Sequence, residues 1–204
     1  HGAPPGYFTV LLFVTLWPAT IVLLPGLWFA ITNRKDPAVR YLLIWVVTTF
    51  LMFEVAPTKL PHYTLPAYPA LAILGAMWVT GALDGAGPGK FGRFLGLLSP
   101  AIFLGIALVL ASLLLWLPAN FGGGTDILAY PLAVIAVALA FLASLFMWRG
   151  RRVIGVMYAA LTAIIFYLLT WQQIAPNLSD FQISPRIAQA VEENARPGDP
   201  PVVV

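Results

Sequence analysis

Six apolar stretches, each close to the length of a bilayer crossing, divide this sequence. They cover residues 7–31, 40–56, 65–83, 94–117, 127–148 and 153–175. An α-helix needs about 20 consecutive apolar residues to cross the hydrocarbon core of a membrane. A soluble domain of this length builds one core, and that core could not bury six such stretches. We therefore predict an all-α membrane protein with about six transmembrane helices.

The composition excludes several other classes of protein. Charged residues make up 9% of the chain, whereas soluble domains carry about 25%. The net charge of +3 comes from basic residues in short loops, a pattern that differs from the basic face of a nucleic-acid-binding protein. The sequence has no cysteine, so disulfides, thiolate metal sites and a cysteine nucleophile are excluded. The expected partners include membrane lipids and exclude nucleic acid.

The distribution of basic residues predicts how the helices are oriented. Three loops that alternate along the chain hold Arg34, Lys35, Arg40, Lys90, Arg93, Arg149, Arg151 and Arg152. The three segments between them hold one basic residue, Lys59. Short loops on the cytoplasmic side of a membrane are enriched in lysine and arginine. We therefore expect a multi-pass protein whose N-terminus and C-terminal tail lie on the outer side.

The tail has the composition of a soluble domain. Ser184 suits a helix N-cap, and Pro185 suits the first helical position. A strand is predicted near Val202, so we divide the chain into a helical bundle over 1–175 and an outer domain that starts in 176–204. This domain is expected to be of the α/β or α+β type and to be truncated here. Because the sequence begins at His1 and stops as a strand begins, we expect a longer protein.

The richest polar segment follows the second apolar stretch and reads EVAPTKLPHYTLPAYP over residues 54–69. Its four prolines, which we expect to keep it out of regular helix, are Pro57, Pro61, Pro66 and Pro69. Non-helical backbone at membrane depth must be buried in protein or line a wet cavity. This segment is therefore the predicted functional site, at the outer membrane face.

The side chains of this segment suit an anion. Lys59 is a cationic donor for phosphate, and His62 and Tyr63 offer further donors. The next helix begins near Pro66, so the positive end of its dipole faces these same donors. The structural alternatives are a snorkelling Lys59, an interfacial Tyr63 and a structural His62. Glu54 either pairs with Lys59 or supports the site or its acceptor.

The same segment carries a family resemblance. Residues 59–72, KLPHYTLPAYPALA, are similar to the K-L-P-x-Y-x-L-P-x-x-P-A-L-A motif of bacterial polyprenyl-phosphate-sugar glycosyltransferases. These are relatives of the dolichyl-phosphate-mannose protein mannosyltransferases and include the lipid A aminoarabinose transferases. Three further features resemble the family more loosely: HGAPPGYF at residues 1–8, the basic loop NRKDPAVR at residues 33–40 before a helix with Trp45, and SPR at residues 184–186. The resemblance implies that the chain corresponds to the C-terminal half of such an enzyme.

The resemblance implies a GT-C fold and an inverting transfer of a sugar from a polyprenyl-phosphate donor. The acceptor would be a lipid or a protein at the periplasmic face of a bacterial inner membrane. In the family the motif lies beside the lipid phosphate, which implies that role for Lys59 and Tyr63, whereas His62 and Glu54 stay unassigned. The catalytic acid is expected in a first outer loop that this chain lacks. We expect no cofactor in this chain, and a divalent metal in the full enzyme stays open.

Two other functions fit parts of the sequence. A transporter or flippase would place Glu54 and Lys59 on a substrate path, although no inverted repeat is visible in the sequence. The second alternative, a membrane anchor for an outer domain, does not explain the proline-rich basic segment.

Overall fold

The computed structural model describes residues 4, 6–56, 59–83, 89–121, 124, 126–174 and 176. Over this part the chain is helical and contains no strand, so the predicted all-α class is confirmed. The helices are α1 Tyr7–Thr15, α2 Thr20–Thr32, α3 Pro37–Val55, α4 Tyr68–Thr80, α5 Gly89–Phe121, α6 Ala129–Trp148 and α7 Arg152–Leu168. A 3₁₀ helix, Pro61–Ala67, leads into α4, and a π-helical turn, Leu169–Ile174, extends α7. The helix predicted from Ser184 and the strand predicted near Val202 lie outside the described residues.

Four of these helices are long and apolar enough to cross a membrane. They are α3, α5, α6 and α7 together with the turn that follows it, as far as Trp171. The chain is therefore a multi-pass membrane protein, as predicted. The first and third apolar stretches contain shorter helices, because prolines interrupt both stretches.

The first apolar stretch was predicted as one transmembrane helix, and this prediction is partly wrong. The structure divides it into α1 and α2, which are separated by a turn over residues 16–19. Pro18 lies in that turn because proline has no backbone N–H to donate, and its ring collides with the preceding helical turn. Pro25, in contrast, lies inside α2.

Local sequence signals explain where α3 begins and where α4 ends. Asp36 Oδ1 accepts hydrogen bonds from the backbone N–H groups of Ala38 (2.9 Å) and Val39 (3.0 Å), and Pro37 occupies the first turn. This cap starts α3 three residues before the predicted boundary at residue 40. Gly81 ends α4 in the left-handed region at φ 65°, where glycine has no steric penalty.

The proline-rich segment was predicted to be non-helical, and this prediction is wrong for residues 61–67. They form the 3₁₀ helix before α4. Proline fixes φ near −65°, a value that suits a 3₁₀ helix. Pro61 and Pro66 therefore interrupt the α-helical hydrogen-bond ladder and still allow a tighter helix. Pro57 lies outside the described residues.

Helix α6 packs against both α5 and α7. Its buried residues include five alanines that recur every three or four positions: Ala129, Ala133, Ala136, Ala140 and Ala143. Small side chains let helices in a membrane approach closely, and this approach replaces a hydrophobic driving force. Ser144 of α6 adds a hydrogen bond from its Oγ to the carbonyl oxygen of Pro100 in α5 (3.0 Å).

Helices α2 and α4 meet through glycine. A Cβ atom placed on Gly26 would lie 3.0 Å from the Cα atom of Gly75. The backbones of the two helices are therefore in direct contact at this crossing. This contact, together with the packing of α2 on α5, joins the N-terminal helices to the rest of the bundle.

The helix ends that flank the basic loops meet at one end of the bundle, which we call the basic end. Arg152 Nη1 donates to the carbonyl oxygen of Trp78 (2.9 Å), and Trp148 Nε1 donates to that of Leu97 (3.0 Å). The rings of Trp28 and Phe91 lie 4.9 Å apart at the same end. These contacts agree with the alternation predicted from the charges.

We predict that Gly26→Ala destabilises the protein, because the new methyl group has backbone in its way and α2 must move away from α4. The expected loss is about 1–3 kcal/mol of unfolding free energy, measured as a lower melting temperature in detergent. Gly105→Ala is the matched control, since Gly105 is exposed on α5 and a Cβ there meets nothing within 4 Å. Equal melting temperatures for the two variants would contradict the glycine crossing.

Candidate functional site

An ion pair forms where α3 ends. The Nζ atom of Lys59 lies 2.8 Å from Oε1 of Glu54, which is the last but one residue of α3. The sequence analysis gave two alternatives for Glu54, and the structure shows the pairing. A carboxylate at the end of an apolar helix needs such a partner, because an unpaired charge near the hydrocarbon region is costly.

The ammonium group of Lys59 is enclosed by the N-terminal part of the chain. Its side chain is only 5% exposed. The Nζ atom also donates to the carbonyl oxygen of Pro4 (3.3 Å) and lies 5.7 Å from the ring centroid of Phe8, a fully buried residue. A snorkelling lysine would keep its ammonium group in water, so the structure does not support that alternative.

Glu54 also contacts the start of α1. The backbone N–H of Gly6 donates to Oε1 of Glu54 (2.5 Å). Gly6 has φ 85°, a conformation that glycine adopts readily and that aims this N–H at the carboxylate. The positive end of the α1 dipole favours a negative charge there. Glu54 therefore links α1, α3 and Lys59.

His62 and Tyr63 follow on the 3₁₀ helix. The ring of Tyr63 stacks on Phe53 of α3, with centroids 4.9 Å apart and planes at 30°. The ring of His62 is exposed and lies edge-on to Tyr63 at 5.1 Å. The structure thus joins Glu54 directly to Lys59 and places the two aromatic donors on the next turn of the chain.

Two contacts at the site were missed in the sequence analysis. The hydroxyl of Tyr68 donates to Oγ1 of Thr15, and Oγ1 of the buried Thr64 lies 3.4 Å from the same hydroxyl. These bonds hold the 3₁₀ helix against α1. Polar residues four positions apart in an apolar stretch were the available signal. The contacts of Pro4 and Gly6 could have been expected from the predicted topology, which places the N-terminus and Lys59 on one side.

Metal binding is not supported within the described part of the chain. There, no group of three or more His, Asp or Glu side chains is arranged to hold a metal ion. His1 lies outside the described residues.

Comparison with known proteins gives several relatives that share one name. The chain matches no protein-family model and no solved structure. It is similar to proteins named undecaprenyl phosphate-alpha-4-amino-4-deoxy-L-arabinose arabinosyl transferase. The identity to that of Pectobacterium carotovorum is 40% over 83 residues, which cover 40% of this chain and 15% of the relative. For the Edwardsiella ictaluri protein it is 40% over 119 residues, or 54% of this chain and 21% of the relative.

The predicted family resemblance is confirmed. A third relative, from Proteus mirabilis, bears the same name with the suffix 2 and is 37% identical over 126 residues, which cover 57% of this chain. These matches span 15 to 21% of the length of the three relatives. The relatives are named as glycosyltransferases whose sugar donor is a lipid phosphate, the donor class that the motif at residues 59–72 implied.

We predict that Glu54 and Lys59 are coupled in stability. A double-mutant cycle with Glu54→Gln and Lys59→Met should give a coupling free energy between about 0.5 and 3 kcal/mol, because each single variant leaves the other group without its ionic partner. Unfolding by titration with a denaturing detergent measures all four proteins. The exposed Lys90 at the other end of the bundle provides the control, since Lys90→Met should show no coupling to Glu54→Gln. Zero coupling for the first pair would mean that no ion pair forms in solution.

Proposed function

We propose that this chain provides the carrier-lipid phosphate site of an inverting glycosyltransferase. The enzyme would transfer a sugar, of the aminoarabinose kind named for its relatives, from a polyprenyl-phosphate donor to a lipid or protein acceptor at the periplasmic face. One observation carries the proposal. The segment that resembles the motif of such enzymes supplies a nearly buried lysine ammonium group, and that group is held in place from three sides.

The geometry of Lys59 suits a phosphate oxygen as an additional ligand. An ammonium group has three N–H donors. Two have partners among the described residues, the carboxylate of Glu54 and the carbonyl oxygen of Pro4. The third is available to a phosphate, and the low exposure of Lys59 would strengthen a charge-assisted bond to it.

Glu54 would hold the ammonium group in position while the site is empty. A bound phosphate carries the same sign of charge as this carboxylate, so the two compete for Lys59. Phosphate binding would therefore weaken the Glu54 contact or replace it. His62 and Tyr63 would supply further donors from the 3₁₀ helix, His62 from its exposed ring.

We propose six membrane crossings with the basic end in the cytoplasm. Besides the four long helices, α1 with α2 would form one interrupted crossing, and the 3₁₀ helix with α4 would form another. The second of these covers residues 61–80 and reaches about 34 Å at the usual helical rises, enough for a hydrocarbon core of about 30 Å. The site at Lys59 and residues 176–204 would then both face the periplasm.

The transporter alternative receives less support from the structure. Transporter sites lie near the membrane midplane, between discontinuous helices. Glu54 instead lies at the end of a continuous α3 of 19 residues. In this proposal the ion pair would lie at the edge of a crossing, near the lipid headgroups.

We predict that Lys59→Ala weakens binding of polyprenyl phosphate by about ten- to a hundredfold, since one charge-assisted phosphate contact contributes about 1.5–3 kcal/mol. Affinity for undecaprenyl phosphate would be measured in nanodiscs at matched folded fraction. Lys59→Arg should keep part of the affinity, Glu54→Gln should keep or raise it, and the control Lys90→Ala should leave it unchanged. Lys59→Ala alone leaves the carboxylate of Glu54 unpaired. The double variant with Glu54→Gln and Lys59→Ala removes that carboxylate as well. Wild-type affinity in that variant would refute the phosphate site.

We predict the orientation from single-cysteine labelling, which is clean here because the chain has no cysteine. Arg34→Cys, Lys90→Cys and Arg151→Cys should resist a membrane-impermeant maleimide in intact cells and react after permeabilisation. Asp126→Cys, in an exposed loop at the other end, should react at once. Rapid labelling of two of the first three from outside would overturn the orientation.

A further inference from the structure

A cavity with two arginines opens at the basic end of the bundle, away from Lys59. It has a volume of about 520 Å³ and lies between the end of α4, at Gly81, and the start of α7, at Arg151 and Arg152. Among the described residues, none that lines the cavity is acidic. This part of the lining therefore offers positive charge without a competing carboxylate.

Arg152, which lines this cavity, is held by its contacts with α4. Its Nη1 atom donates to the carbonyl oxygen of Trp78 (2.9 Å), and its guanidinium carbon lies 4.2 Å from the ring centroid of Trp78. A guanidinium group has five N–H donors, and this bond uses one. Arg151, next to it, is exposed. The pair can thus present several donors to a phosphate group.

An apolar groove of about 320 Å³ continues from the cavity into the membrane-spanning region. It lies between α2, α4 and α7 and is open because its walls are small residues, among them Ala72, Ala76 and Ala160. Val79 and Thr80 line both the cavity and the groove. The two spaces therefore form one site with a basic end and an apolar end.

The length of the site matches half a bilayer. Along α4 it extends from Gly81 back to Ala72, which is about 14 Å at the helical rise. Half of a hydrocarbon core is about 15 Å. A chain lying in the groove would therefore end near the midplane, as an acyl chain of one leaflet does.

We infer that this is a binding site for an anionic glycerophospholipid, with the headgroup phosphate at Arg151 and Arg152 and one acyl chain in the groove. Basic pockets between transmembrane helices favour anionic headgroups. A neutral phospholipid would not match the two arginines, and a free phosphate would leave the apolar groove unfilled. A lipid in this place contacts both α4, which continues from the 3₁₀ helix of the Lys59 site, and α7.

The test is native mass spectrometry of the protein titrated with phosphatidylglycerol. Arg151→Gln with Arg152→Gln should weaken binding of the first phosphatidylglycerol by about tenfold or more. The control is Arg34→Gln with Lys35→Gln, which removes two exposed charges from a neighbouring loop outside both spaces and should leave this affinity unchanged. Arg151→Gln alone should give a smaller loss and avoids the packing of Arg152 on Trp78. Equal losses in the two double variants would refute the site.

A second pair of variants tests the groove without changing charge. Ala76→Leu fills the groove from an exposed position, whereas Ala101→Leu adds the same volume on an exposed position of α5 outside it. Only Ala76→Leu should weaken phosphatidylglycerol binding. Equal binding of phosphatidylcholine, full competition by inorganic phosphate, or preferential binding of polyprenyl phosphate would each overturn the assignment.

Discussion

A lysine ammonium group that is almost fully enclosed must have a negative partner, and the end of the bundle opposite the basic end is built on that requirement. Lys59 is 5% exposed and pairs with Glu54, which in turn accepts a hydrogen bond from Gly6 at the start of α1. Three separate parts of the chain meet at this pair. In the proposed function the same pair would keep the ammonium group positioned for an anion, so one interaction would both organise this end of the fold and prepare the site.

The rest of the bundle keeps that end in place through small residues. The alanines of α6 let α5 and α7 approach closely, and the glycine contact brings α2 against α4. Because the 3₁₀ helix continues directly into α4, the position of α4 sets the position of the proline-rich segment. The groove beside α4 arises from the same use of small side chains. Small side chains therefore allow close helix packing at one crossing and leave open space at another.

The sequence predicted the helical class and the apolar stretches, because hydrophobic length is a local property, and it singled out the segment that carries the Glu54–Lys59 ion pair. The alternation of basic residues agrees with the contacts at the basic end. The break at Pro18 and the 3₁₀ helix at residues 61–67 were not predicted, since the effect of a proline on a helix depends on neighbouring packing. Pairing with Lys59 was one of the two alternatives that the sequence left for Glu54. The carbonyl acceptor of Pro4 and the backbone N–H donor of Gly6 depend on the approach of α1, which no local pattern encodes.

The proposed exchange of Lys59 from a carboxylate to a phosphate is open to direct measurement. Solid-state NMR of ¹⁵N-lysine-labelled protein in lipid bilayers with undecaprenyl phosphate reports the distance between Nζ and phosphorus, and Lys59→Arg identifies the signal of Lys59. The account predicts a ¹⁵N–³¹P separation of about 4 Å or less, as expected for a charge-assisted hydrogen bond to phosphate. An ammonium signal from Lys59 without dipolar coupling to phosphorus, at saturating carrier lipid, would contradict it.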